Sequence, residues 1–136
     1  MKPIKVLVID DDPAVLRSTS KLMVTLGWVV VTRNNAFSAS LDIRVEAPDV
    51  VLLDIDMPAL RGDRLVEILN AGRVHGRPQI VLYSGLGEKE LEVRAIRSHA
   101  DGWVRKGGPV VELIESIRGA ARRAQALSGA GAEPRR

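Results

Sequence analysis

Asp10, Asp11 and Asp12 stand in a row at the end of an apolar run, Val6-Leu7-Val8-Ile9, and a second apolar run, Val50-Val51-Leu52-Leu53, ends on Asp54. If both runs are strands of one parallel sheet, their ends open on the same edge and the carboxylates meet. Grouped carboxylates repel. At about 4 Å and an effective dielectric near 20, each like-charged pair costs roughly 4 kcal/mol. Such a group persists when protons or a cation neutralise it. Hard divalent cations take oxygen ligands. The pattern therefore predicts an Mg²⁺ site at the carboxyl edge of an α/β sheet. Helix capping accounts for Asp12, which precedes Pro13, but leaves Asp10 and Asp11 for the ion. Asp54, kept ionised beside a cation, is a competent nucleophile toward phosphorus.

Two later residues join this group. Ser84 ends the run Val81-Leu82-Tyr83. Alone it reads as a cap or turn hydroxyl; beside Asp54 it becomes a donor to a phosphoryl oxygen. Lys106 follows Gly102-Trp103-Val104-Arg105. Most lysines are solvated, but one at this strand end reaches back over the carboxylates to offset their charge and bind a phosphoryl oxygen.

The elements that must position these residues alternate along the chain. Strands are expected at 5–10, 28–33, 49–54, 79–84 and 102–105, most of them short runs of Val, Ile and Leu suited to burial on both faces. Helical spacing predicts helices after Pro13 up to Gly27, then over 36–46, 62–71, 88–98 and 110–127. This (βα)₅ order implies a five-stranded, doubly wound parallel sheet of flavodoxin-like type with helices on both faces, binding ligands beyond the carboxyl ends of its strands. One domain over 1–127 is expected, followed by a disordered tail over 128–136 that is small, polar and Pro-containing.

Composition narrows the function classes. The chain has 136 residues, 46% hydrophobic, and no cysteine, so thiolate metal sites and disulfides are excluded. Aromatics are only 3%, which makes the core aliphatic. No stretch is long enough to span a bilayer, and a cytoplasmic protein is expected. The net charge is +3. The basic residues are scattered and no aromatic-rich basic stripe appears, so no direct binding of DNA or membrane is expected.

With the acidic pair Asp10-Asp11, Asp54 followed by Met57-Pro58 and Gly62, then Ser84 and Lys106, the chain resembles the response-regulator receiver domain of two-component signalling over about Lys2 to Leu127. The resemblance implies that Asp54 is a phosphoacceptor for a histidine kinase or histidine phosphotransfer protein, and that a downstream protein is the target. It implies Mg²⁺, with Mn²⁺ as an alternative, bound by Asp11, Asp54 and the backbone carbonyl of Asp56, with Asp10 acting mainly through water. It makes Ser84 and Lys106 contacts of the phosphoryl group and Trp103 an aromatic switch residue. It implies no enzyme beyond the domain's own phosphorylation and dephosphorylation.

Three features depart from the family pattern. Gly107 follows the lysine where proline is usual, Trp103 replaces Tyr or Phe, and Asp56 adds an acid that tunes phosphoryl loss. Three rival readings exist. A haloacid-dehalogenase-like phosphohydrolase is suggested by Asp54-Ile55-Asp56, but those enzymes place their acidic metal pair after the lysine. A nucleotide module is suggested by Gly85-Leu86-Gly87, which lacks a third glycine. A pseudo-receiver interaction module is countered by the complete acid pocket. Nothing in the chain reads as an output domain. Composition leaves open both a single-domain regulator and a part of a larger protein.

Overall fold

The computed structural model describes residues 2–57, 62–71, 73 and 77–132. The elements run β1 (Lys5–Ile9), α1 (Pro13–Thr25), β2 (Val29–Arg33), α2 (Ala39–Glu46), β3 (Val50–Asp54), α3 (Gly62–Ala71), β4 (Gln79–Ser84), α4 (Glu88–Ser98), β5 (Gly102–Arg105) and α5 (Val110–Ala132). The strands form one parallel sheet in the order β2-β1-β3-β4-β5. This is the flavodoxin-like, doubly wound α/β fold that strict alternation predicts.

The period-2 geometry of the strands sorts their side chains into two cores. Leu7, Ile9, Val51, Leu53, Ile80 and Leu82 pack on one face with Leu65 and Val66 of α3 and Leu91 and Ala95 of α4. Val6, Val8, Val50, Leu52 and Val81 pack on the other with Met23 of α1 and Leu113, Ile117 and Ala121 of α5. Burial on both faces holds for the central strands β1, β3 and β4. The edge strand β2 is only partly covered, with Val29 exposed.

Helix ends follow local chemistry. Asp12 caps α1, its Oδ1 accepting from the N–H of Ala14 at 2.9 Å. After α1, Gly27 takes a φ of +83° that favours glycine. The helix α2 starts at Ala39 rather than Ala36, because Asn35 Oδ1 accepts from the N–H of Phe37 at 3.0 Å and holds a turn there. It ends before Pro48, which disfavours helical backbone at the preceding residue. The helix α5 corrects one expectation. It continues through Ala132, so 128–132 are helical where a disordered tail was expected. Alanines at 126, 130 and 132 give this stretch helix propensity that a reading of its small and polar residues underweights. Pro58 of the Met57-Pro58 pair and residues 133–136 lie outside the described residues.

At the amino edge of the sheet, away from the acidic cluster, Asp49 is buried (3% exposed). Its Oδ2 accepts from the backbone N–H of Lys5 at 2.9 Å and from Gln125 Nε2 at 3.3 Å, and its Oδ1 meets Arg77 at 3.2 Å. One carboxylate thus ties β1, β3 and α5 together.

Candidate functional site

Strand order reverses between β1 and β3: the chain leaves β1 toward β2 on one side and returns to β3 on the other. Register pairs Ile9 with Leu53, so the residues that follow, Asp10 and Asp54, emerge side by side at the carboxyl edge. Each carboxylate is fixed by a backbone N–H two residues on. Asp12 N donates to Asp10 Oδ1 at 2.9 Å, and Asp56 N donates to Asp54 Oδ1 at 3.1 Å. Asp10 and Asp54 are buried (1% and 4% exposed), while Asp11 is exposed. One carboxylate oxygen from each of the three lies within 4.8 Å of the others.

Lys106 reaches into this group as expected. Its Nζ lies 2.6 Å from Asp10 Oδ2 and 3.7 Å from Asp54 Oδ1. Its backbone N–H donates to the carbonyl of Ser84 at 2.7 Å, which locks the loop to the end of β4. Gly107 has a φ of +80°, a conformation closed to proline, so glycine after the lysine goes with a different local backbone.

The donor set fits a hard divalent cation. Asp10 Oδ2 is buried, and its close contact among the described residues is the charge-assisted one with the Lys106 ammonium. Among the described residues, the three carboxylates of this cluster face one ammonium, so the cluster carries net negative charge. Asp10, Asp11 and Asp54 can together supply oxygen ligands to such an ion.

The titration of the group follows from this imbalance. Burial pushes the Asp54 carboxyl above its ordinary value of 3.8. The N–H of Asp56 and the charge of Lys106 oppose that shift, and the charges of Asp10 and Asp11 add to it. Burial alone would lower Lys106, but the contact with Asp10 and the charges of Asp54 and Asp10 outweigh it, so the ammonium is held more firmly than usual. Burial is the first cause for Asp54, while the neighbouring acids are what hold the proton on Lys106. The ammonium keeps its own proton, yet it does not fully offset the cost of ionising Asp54.

Ser84 is fully buried at the end of β4, but its hydroxyl donates to Asp56 Oδ2 at 3.2 Å and accepts from the N–H of Leu86 at 3.1 Å. It is therefore engaged with Asp56 rather than Asp54. The Asp56 side chain is exposed and lies 4.0 Å from Arg94 of α4. Trp103 is half-buried on β5. It packs against the core on the α3 and α4 face and lines a cleft of about 220 Å³ with Glu88, Arg105 and Glu112.

Two neighbours escaped the sequence reading. Arg94 comes from a helix face whose direction a sequence does not display. Tyr83 lies under the Lys106 ammonium, 5.5 Å from its ring centroid. The signal for Tyr83 was present: it is the one aromatic of β4, following the aliphatic run Ile80-Val81-Leu82 and next to Ser84.

The family model for the response regulator receiver domain matches residues 6–118. The chain is 32% identical over 124 residues to a probable transcriptional regulator, ycf27, of Pyropia yezoensis, covering 91% of this chain and 50% of that protein. It is 30% identical over 118 residues to the transcriptional regulatory protein KdpE of Mycobacterium tuberculosis, covering 87% of this chain and 51% of that one. The chain thus spans about half the length of these curated relatives. Among solved structures, a signal receiver domain of a response regulator from Bermanella marisrubri superposes with a TM-score of 0.77 at 27% identity, covering 88% of this chain and 98% of that one. Among the described residues, no helix is long and apolar enough to cross a membrane. A carboxylate pair at the sheet's reversal point, a lysine between them and a family match over most of the chain converge on one assignment: the chain belongs to the response regulator receiver domains of two-component signalling.

Proposed function

We propose that this domain is a phosphoryl-accepting switch in the cytoplasm. Asp54 takes a phosphoryl group from a phosphohistidine of a histidine kinase or histidine phosphotransfer protein. The observation that carries this reading is a buried carboxylate, Asp54, held by the Asp56 N–H and facing Lys106 beside two further acids. Asp54 attacks phosphorus in line as the donor's P–N bond breaks, and the electron pair leaves with the imidazole nitrogen. Asp11, Asp54 and the backbone carbonyl of Asp56 would hold Mg²⁺ or Mn²⁺ directly, with Asp10 acting mainly through water, and the ion would offset the negative charge of the phosphoryl oxygens. Lys106 contacts one of those oxygens as a point charge. Ser84 exchanges its bond to Asp56 for one to the phosphoryl group, which draws the loop before α4. Trp103 and the surface of α4, β5 and α5 pass this change to a protein target; no DNA contact by this domain is required. The exposed Asp56 carboxylate is placed to influence phosphoryl loss.

Incubation of the protein with Mg²⁺ and a small acyl phosphate, followed by peptide mass spectrometry, tests the reading. A single phosphoryl adduct on Asp54 supports it; an adduct on another residue, or none, overturns it. Lys106→Ala is expected to keep the adduct on Asp54 but to slow its formation on the order of 10- to 100-fold, because one charge contact to the transferring group is lost. Initial labelling rates at fixed donor concentration measure this.

A further inference from the structure

The two residues after Lys106 are glycines, and Gly107 already lies at a positive φ. Glycine imposes little restraint on the backbone it belongs to. The Lys106 backbone is anchored by its bond to the Ser84 carbonyl, but the side chain is long, so the placement of its head depends on what touches it. The carboxylates of Asp10 and Asp54 attract it from one side. On β4, the Tyr83 ring lies 5.5 Å from the ammonium, within the range of a cation–π contact. Tyr83 is held in place itself. It pairs with Asp54 on one side and Val104 on the other, and its ring packs against the core beneath α5. Burial raises the Tyr83 phenol above its ordinary value, so the ring is neutral at physiological pH and offers its π face rather than a phenolate charge.

We propose that Tyr83 is a positioning residue that seats the Lys106 ammonium between Asp10 and Asp54 through its aromatic face. The proposal deepens the phosphoacceptor reading and rests on it for its consequence on rate. The hydroxyl is not needed: the attraction comes from the ring quadrupole, so phenylalanine serves and an aliphatic side chain of similar bulk does not.

The test uses the full chain as wild type, Tyr83→Phe, Tyr83→Leu, Lys106→Ala and the Tyr83→Leu/Lys106→Ala double variant. The first readout does not involve phosphorylation. In protein labelled with ¹³C at the lysine ε-carbons, the ε-methylene protons of Lys106 should be shifted upfield by the ring current in wild type and Tyr83→Phe, and should lose that shift in Tyr83→Leu. The second readout is the initial rate of acyl-phosphate labelling with Mg²⁺. Tyr83→Leu should be about 3- to 10-fold slower than wild type, as expected for loss of a partly desolvated cation–π contact, with Tyr83→Phe close to wild type. In the Lys106→Ala background, Tyr83→Leu should have no further effect, because a residue acting through the lysine has nothing left to act on. A rate loss of equal size in both backgrounds would mean that Tyr83 matters only for general packing, and the proposal would fall. An unshifted Lys106 signal in wild type would also overturn it. Absence of any label on wild type would overturn the phosphoacceptor reading instead, with the lysine spectrum still deciding where the ammonium sits.

Discussion

Asp54→Asn should abolish phosphoryl uptake while making the unliganded protein more stable at neutral pH. The amide keeps an oxygen to accept the N–H of Asp56, so the local backbone is preserved. It cannot attack phosphorus, and labelling should fall by at least about 10³-fold, as expected when a nucleophile is removed and only positioning remains. The stability gain follows from the raised Asp54 pKa, caused first by burial. A carboxyl whose folded value lies above its unfolded value contributes most below the unfolded value. That contribution is lost as pH rises through the folded value. At neutral pH the wild-type domain therefore carries an ionised group that folding disfavours, and asparagine removes it. Denaturant melts should show the variant ahead at pH 7, with the gap narrowing as the pH falls and Asp54 is protonated in the wild type. A variant less stable than wild type at pH 7 would show that the ion contact with Lys106 outweighs burial.

Asp49→Ala should produce a large loss of stability although it lies outside the acidic pocket. The substitution leaves the Lys5 N–H, the Gln125 amide and the Arg77 guanidinium each without a partner that the wild-type carboxylate supplies. Removing one member of a buried ion pair costs about 3–5 kcal/mol. The Arg77 side chain is partly solvated, which places the effect near the lower end, about 3 kcal/mol, or a fall in Tm of roughly 10 °C for a domain of this size. Asp49→Asn, which can still accept from the Lys5 N–H, should recover part of it. Thermal melts followed by circular dichroism measure both. Because Asp49 sits at the amino edge, phosphoryl labelling below the melting range should be nearly unchanged.

Much of this was legible because the relevant signals are local. Valine, isoleucine and leucine runs ending on Asp10, Asp54 and Ser84 mark strands, and in a parallel sheet the strand end fixes the edge on which a residue emerges. That alone brought Asp10, Asp11, Asp54 and Lys106 together. The carboxyl end of α5 was misjudged because glycine and serine at 128–131 read as loop, whereas a helix already nucleated upstream extends through weak formers at low cost per residue. The present partner of Ser84 was not foreseen. A hydroxyl chooses among nearby acceptors, and Asp56 competes with Asp54 over distances that spacing in sequence does not encode. The contact of Tyr83 with Lys106 joins two neighbouring strands, so it depends on register and on the path of a flexible side chain.

The closeness of Lys106 to Asp10 gives this pocket a built-in competitor. At 2.6 Å from Asp10 and 3.7 Å from Asp54, the ammonium rests on the acid that a divalent guest also requires. A divalent guest that drew on Asp10 would compete there with the ammonium, and a displaced head would lie within reach of Asp54. On that reading, deleting the lysine side chain should tighten cation binding even as it slows phosphoryl transfer.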